Sequence, residues 1–273
     1  MDRLLAIAAA LWLASAWVAP ASAQTAATVE KLYVLDCGHG RGSDQSRWSP
    51  GVNVGVPLDV RDNCYLIRHA QGWFLWDTGV PDAVARMPDG LVSPLSTWKR
   101  PKTLAEQMQQ VGVPLADVKW VGISHTHGDH VGNVDLFAGA TVLMQKAEYD
   151  WSFAPTKTFP FSADRTVRKL EGDLDVFGDG SARILSTPGH TPGHQCLLVH
   201  LKNTGYVLLS GDAVHFKDNW ENRRVPAMNT SKDQTVASMQ RIADTLAQYK
   251  AELWINHDKA QGDAAKRPPE FYD

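Results

Sequence analysis

Residues 124–130 of this chain place four potential metal ligands within six positions. In the sequence SHTHGDH, these ligands are His125, His127, Asp129 and His130. Imidazole and carboxylate groups together suit zinc, iron or manganese. Alternate residues of an extended stretch point the same way, so His125 and His127 can bind one ion together. Asp129 and His130 come after the sharp turn that a glycine allows, and they can reach a second ion.

Three further candidate ligands each follow an apolar, strand-like run. They are His190, Asp212 and His257. Ligands at strand ends that converge on one edge of a sheet make a rigid metal site. A structural zinc site uses four ligands, usually including cysteine, whereas none of these seven candidates is a cysteine. The set predicts two divalent ions, most simply zinc, bridged by one carboxylate with room left for water.

The seven positions resemble the ligand set of the metallo-β-lactamase superfamily, and most closely that of the N-acyl-homoserine lactonase family. Further similar segments are residues 31–38, 63–67 and 76–79, the last containing an Asp-Thr-Gly turn. The resemblance covers nearly all of the mature chain. It implies an α/β fold, a four-layer αββα sandwich with the metals at one edge of its two sheets. A further histidine, His194, also matches the family pattern, and we expect it to hydrogen-bond rather than ligate.

The resemblance implies a quorum-quenching hydrolase that opens the lactone ring of N-acyl-homoserine lactones. A hydroxide bridging two ions about 3.5 Å apart would attack the carbonyl carbon. Asp129 would then carry a proton to the leaving oxygen. Many relatives have a tyrosine three residues after the bridging aspartate, where this chain has His215. Imidazole can donate a hydrogen bond and act as an acid, so we expect His215 to be catalytic. A passive pocket residue or an extra ligand are the alternatives.

Other functions within the superfamily stay open. A glyoxalase II-like thioester hydrolase shares the seven ligands but would need a basic patch for glutathione. A persulfide dioxygenase-like oxidoreductase shares much of the motif and holds a single iron. In one main branch of the zinc β-lactamases a cysteine stands where this chain has Asp212, so we rank that activity low. Metal analysis and a panel of substrates would separate these functions.

The overall composition is that of a globular enzyme. The 273 residues are 44% hydrophobic and carry a formal net charge of −3 without a basic run. The chain therefore has no basic surface of the kind that binds nucleic acid. The partner that the resemblance implies is a small lactone with an apolar acyl chain. Without an internal repeat or linker, residues 24–273 are predicted to form one hydrolase domain. The oligomeric state stays open, with a homodimer among the options.

The first 23 residues have the pattern of a signal peptide. A basic Arg3 precedes an apolar stretch over residues 4–18, and Ala21-Ser22-Ala23 has the small-x-small form of a cleavage site. The mature chain would begin at Gln24 in the periplasm or medium. An uncleaved anchor is the alternative, but the stretch is short for a membrane span. No later stretch is long and apolar enough to span a membrane after processing.

An exported chain can form disulfides, and this one has three cysteines, Cys37, Cys64 and Cys196. Cys37 and Cys64 fall on strands that can be neighbours, so an oxidising compartment would allow them to pair. Their flanks are strongly apolar, which favours three small buried thiols instead. The apolar flanks therefore predict three free cysteines.

Apolar patterning predicts nine strands and two helices. The strands are expected at 31–36, 63–68, 73–77, 118–124, 141–145, 183–187, 195–201, 206–211 and 252–256. The helices are expected at 103–111 and 233–248, with Thr103 and Ser231 as N-caps. Residues 38–60 and 155–164 look irregular, and long irregular segments are usually functional. Their aromatic residues are candidates for an apolar wall along the acyl chain: Trp48, Phe153, Phe159 and Phe161.

Overall fold

A computed structural model describes residues 27–273 of the chain. The predicted signal peptide (residues 1–23) and its cleavage site lie outside these described residues, so export stays a prediction. Within residues 27–273, no helix combines the length and the apolar character needed to cross a membrane.

The described chain forms thirteen strands and six α-helices. The strands are β1 (Lys31–Gly42), β2 (Leu58–His69), β3 (Gly72–Trp76), β4 (Leu91–Val92), β5 (Ser96–Lys99), β6 (Val118–Gly122), β7 (Thr141–Gln145), β8 (Val167–Leu170), β9 (Leu174–Asp175), β10 (Ala182–Ser186), β11 (Gln195–Leu201), β12 (Gly205–Leu209) and β13 (Glu252–Trp254). The helices are α1 (Leu104–Gln110), α2 (Gly128–Val131), α3 (Lys146–Ser152), α4 (Lys217–Asn222), α5 (Lys232–Tyr249) and α6 (Lys259–Ala264).

The strands form two sheets. The first has the order β4-β5-β1-β2-β3-β6-β7-β8, and the second has the order β13-β12-β11-β10-β9. From β3 to β8 the pairs of the first sheet are parallel, as is the pair β12–β13 in the second. Strands that run the same way end at the same edge, so the loops that follow them can meet there.

The two sheets pack face to face between two layers of helices. Residues 64–67 of β2 form a continuous apolar run because both faces of the strand are covered there: Leu66 faces the helix layer and Ile67 faces the second sheet. Helix α1 covers the first sheet through Met108, and helix α5 covers the second through Ile242. Both faces of each sheet are therefore buried, as parallel strands generally require. This arrangement confirms the predicted αββα sandwich.

All nine predicted strands are present, but one predicted loop is wrong at both ends. Strand β1 continues to Gly42 and β2 begins at Leu58, so only residues 43–57 of the segment 38–60 are irregular. The two strands stay paired along this extension. Both predicted helices are present. Thr103 forms a capping box with Glu106, and Ser231 accepts a hydrogen bond from the backbone of Gln234.

The prediction of three free cysteines is wrong. Cys37 and Cys64 form a disulfide between β1 and β2, with their Cα atoms 5.8 Å apart. A register shift in the β1–β2 ladder lies between Asp36 and Gly38, at Cys37. Cys196 alone is a free, buried thiol. Apolar flanks indicate burial correctly, but they do not distinguish a buried thiol from a buried disulfide.

Candidate metal centre

The seven predicted ligands meet at one edge of the sandwich, each just beyond the end of a strand. His125 and His127 follow β6, and helix α2 then carries Asp129 and His130. The other three lie after β10, β12 and β13 respectively: His190, Asp212 and His257. The sequence places each ligand locally, and the strand directions bring the loops together.

The ligand atoms fall into two groups. In the first, the ligand atoms of His125, His127, His190 and Asp212 lie within 4.8 Å of one another, as do those of Asp129, His130 and His257 in the second. Three imidazole nitrogens of the first group approach closely. His190 Nε2 lies 3.2 Å from His125 Nε2 and 3.0 Å from His127 Nδ1.

Asp212 directs one carboxylate oxygen toward each group. Its Oδ2 lies 3.4 Å from His190 Nε2 and 3.7 Å from His125 Nε2. Its Oδ1 lies 3.1 Å from His257 Nε2 and 3.3 Å from His130 Nε2. This is the placement that a carboxylate bridging two ions requires.

Two buried atoms at the centre fit a pair of divalent ions. His130 Nε2 and Asp212 Oδ1 are both buried, and although they lie 3.3 Å apart, neither has a hydrogen bond of acceptable geometry among the described residues. A buried polar atom without a partner is costly, and a cation between the two would satisfy both. Nitrogen and oxygen donors without thiolate suit divalent zinc, iron or manganese. The residues present therefore fit a two-ion site.

The electrostatics of the two groups also favour cations. Burial holds the pKa of His125 and of His190 well below the ordinary value, which keeps both rings neutral and able to ligate. Burial opposes charge on His257 too, but the Asp212 carboxylate outweighs it and raises the pKa of His257 to about 9. Burial also opposes charge on His130, but the Asp212 carboxylate outweighs it and raises the pKa of His130 well above its usual range. The carboxylates thus attract positive charge, which metal ions can supply in place of protons.

A surrounding set of hydrogen bonds orients three of the imidazoles. His130 Nδ1 lies 3.0 Å from Asp77 Oδ2, and that carboxylate also accepts from the backbone N–H and the hydroxyl of Ser124. His190 Nδ1 lies 2.9 Å from Asn229 Oδ1. His257 Nδ1 lies 2.7 Å from the carbonyl oxygen of Arg61. With Nδ1 engaged in each case, Nε2 is left for the centre.

Glu148 and His194 hold the ligand loops in place. Glu148 is fully buried and accepts hydrogen bonds from the backbone N–H of Thr126 and of Gly193, so it joins the loops that carry His127 and His190. His194 Nε2 accepts a hydrogen bond from the backbone N–H of Asp212 at 2.9 Å. Burial lowers the pKa of His194 to about 3, so the ring stays neutral and can accept. It makes the hydrogen bonds expected of it from the sequence.

A cavity of about 170 Å³ opens over the ligands, and only one of the four predicted wall residues lines it. Trp48 lies in the wall as predicted. The other three do not line this cavity, and the ring of Phe153 packs against those of Phe159 and Phe161 instead. The apolar wall is formed instead by Val60, Leu95, Trp98, Phe216 and Met228, together with Trp48. Trp98 lies on the short strand β5, between the edge strand β4 and β1, and β5 has no clear apolar pattern in the sequence.

His215 also lines this cavity. Its Nε2 lies 3.1 Å from Asp212 Oδ2. Its Nδ1 is buried without a hydrogen-bond partner among the described residues. One ring nitrogen is therefore unpaired beside the candidate metal pair.

Comparison with known proteins identifies relatives with the same fold and a similar sequence. A family model of the metallo-beta-lactamase superfamily matches residues 59–255. The N-acyl homoserine lactonase AttM of Rhizobium radiobacter is 33% identical over 262 residues, which cover 89% of this chain and 94% of that protein. An N-acyl homoserine lactonase from a Bacillus species is 30% identical and matches over 99% of its length.

Solved structures that superpose on this chain include lactonases, as the sequence relatives do. A quorum-quenching N-acyl homoserine lactone lactonase superposes with a TM-score of 0.80 at 27% identity, covering 90% of this chain and 99% of that one. AidC, a dizinc quorum-quenching lactonase, shares the fold at 17% identity with a TM-score of 0.66. The chain therefore belongs to the metallo-β-lactamase superfamily and, within it, to the family of the N-acyl homoserine lactonases.

Proposed function

We propose that this protein opens the lactone ring of N-acyl homoserine lactones at a two-ion site, most simply with zinc, and releases the free N-acyl homoserine. The observation that carries the proposal is the position of Asp212, whose two carboxylate oxygens each approach a different ligand group. The relatives at 30–33% identity bear the name of this activity, which supports the substrate class.

The chain supplies both the ligands and the proton transfers. Two divalent ions bound there would supply an activated water for attack on the lactone carbonyl and Lewis-acid stabilisation of the developing negative charge. The Asp129 side chain is 19% exposed, against 4% for Asp212, so Asp129 is the carboxylate that can exchange a proton with solvent. It can deliver that proton toward the leaving oxygen.

His215 is the second group in the proposed chemistry. Nε2 of the ring interacts with Asp212, and a protonated ring carries an N–H at Nδ1 as well. Such a ring can donate to an oxygen of the substrate, which gives the unpaired Nδ1 a partner. His215 would thus perform the role of the tyrosine found in many relatives.

The shape of the cavity orients the rest of the substrate. Its mouth is apolar, since Leu95 is 41% exposed and Met228 is 43% exposed. With the lactone head over Asp212 and His215, the acyl chain passes these two side chains on its way to solvent. An acyl chain that contacts them is partly removed from water.

The KM for lactones is expected to fall as the acyl chain lengthens. Each methylene buried at the mouth contributes roughly 0.8 kcal/mol, a factor of about four in KM at most. Proton release from the purified protein should be measured on lactones of increasing acyl length, beside a thioester and a cephalosporin. Brisk thioester cleavage without lactone turnover at any length contradicts the proposal. So does oxygen consumption by a protein that holds one iron per chain.

We also propose that the protein is exported, since the Cys37–Cys64 disulfide suits an oxidising compartment. Protein recovered from the periplasm or medium should begin at Gln24. Alkylation of that protein after denaturation should modify Cys196 alone, because the other two cysteines are paired. Protein made without residues 1–23 in a reducing cytosol is the control and should alkylate at all three. Uncleaved chain in the membrane fraction contradicts export.

A further inference from the structure

One face of strand β1 has no side chains at Gly40 and Gly42, and two tryptophans fill the space above these glycines. A Cβ added at Gly40 would lie 2.8 Å from Cζ3 of Trp98 and 2.6 Å from Cγ2 of Val60. A Cβ added at Gly42 would lie 2.7 Å from Cζ3 of Trp48. Alternate residues of a strand share a face, so both glycines are on the side that carries the indoles. The two indoles therefore lie directly against the backbone of β1.

The indole of Trp98 passes over the backbone of Gly40 and extends toward the candidate metal centre. Strand β5 pairs with β1 so that Trp98 lies opposite Gly40. The indole extends across Gly40 toward the ligand His257, and the two ring centroids lie 6.0 Å apart. The same indole lines the metal cavity. Trp98 is half-buried beside the ligand His257, whereas Leu95 and Met228 are exposed at the mouth of the cavity.

We propose that Trp98 is a substrate-contact residue that determines specificity for the reacting end of the substrate, and that Gly40 is a positioning residue for its indole. The substrate assignment rests on the proposed function. Beside His257, the indole faces the lactone ring and the adjoining amide rather than the far end of the acyl chain. An indole face offers a large, rigid apolar contact at low entropic cost.

Because of this placement, variants of Trp98 and variants of the residues at the mouth should differ in how their effect on KM depends on acyl length. Trp98→Ala should raise KM roughly tenfold, the upper range for an aromatic contact, and by the same factor at every acyl length. Met228→Ala should raise KM more as the chain lengthens. Trp98→Phe should fall between wild type and Trp98→Ala. All variants should keep about two ions per chain, since neither residue is a ligand.

The positioning role of Gly40 is tested by comparing the effects of Gly40 and Trp98 variants on KM, singly and together. Gly40→Ala should push the indole into the cavity and raise KM more than it lowers kcat. In the double variant Gly40→Ala, Trp98→Ala the added methyl no longer meets an indole and only its contact with Val60 Cγ2 remains, so the two effects on KM should be non-additive. Gly139→Ala is the matched control, because a Cβ there meets nothing within 4 Å, and its KM should match wild type. If Gly40→Ala does not fold, the Trp98 series still decides the proposal.

The comparison is made on whichever ester or thioester the wild-type protein hydrolyses, because the reacting end of any substrate lies beside His257. A preference for thioesters contradicts the proposed function but leaves Trp98 testable. An unchanged KM in Trp98→Ala overturns the inference. A Trp98 effect that grows with acyl length overturns it too, and additive effects of Gly40 and Trp98 remove the positioning role.

Discussion

Asp212→Ala is expected to remove both tight metal occupancy and activity. Among residues 27–273, Asp212 is the carboxylate that approaches both ligand groups, with Oδ2 near His190 and Oδ1 near His257. Without it, the first group keeps three imidazoles and the second keeps Asp129 as its single carboxylate. We expect kcat to fall by about three orders of magnitude or more, beyond the loss of one oxyanion donor. Elemental analysis should find about two ions per chain in wild type and fewer in the variant.

The control for this variant is an aspartate outside the centre. Asp244 is exposed on helix α5, so Asp244→Ala should keep both ions and full activity. Asp212→Asn keeps the shape of the side chain but loses its charge, and an amide nitrogen cannot ligate as a carboxylate oxygen does. This variant should therefore resemble Asp212→Ala in metal content. A fully metallated and active Asp212→Ala protein would show that the carboxylate does not bridge the ions.

The ligand positions were predictable from sequence because each is a local feature. A chain that passes through a buried strand must turn at its end, and a histidine or aspartate there projects from the sheet edge, as His257 does after β13. Apolar runs identified those strands, and the strand directions bring their ends together. The same runs predicted a layered α/β fold, because strands buried on both faces need helices on the outside, whereas the αββα order was implied by the family resemblance.

The substrate wall was not predictable in this way because it depends on pairing between distant segments. Strand β5 has four residues with little apolar pattern, and Trp98 acquires its position only by pairing with Gly40. The disulfide likewise depends on the β1–β2 register that brings Cys37 to Cys64. The phenylalanine cluster around Phe153 has the composition of a pocket wall. Composition alone does not distinguish aromatic residues that line a binding cavity from aromatic residues that pack against one another beside the core.

His215→Ala is expected to lower kcat more than it raises KM. If the ring donates to an oxygen of the substrate during reaction, its loss removes an interaction made mainly in the transition state. Loss of one donor to an oxygen that develops negative charge costs about a hundredfold or more, so kcat should fall by at least that factor. Metal content should stay at about two ions, which separates this role from that of an extra ligand. His215→Tyr should retain substantial activity, because a phenol hydroxyl can donate in the same place.

The leaving group distinguishes an acid from a simple hydrogen-bond donor at this position. An N-acyl homocysteine thiolactone releases a thiolate, which is stable without a proton near pH 8.5, whereas a lactone releases an alkoxide that is not. If His215 protonates the leaving atom, His215→Ala should lose much less activity on the thiolactone than on the lactone. Equal losses on both substrates would assign the ring to the carbonyl oxygen instead. An unchanged kcat on both, with two ions still bound, would leave His215 as a passive residue of the pocket.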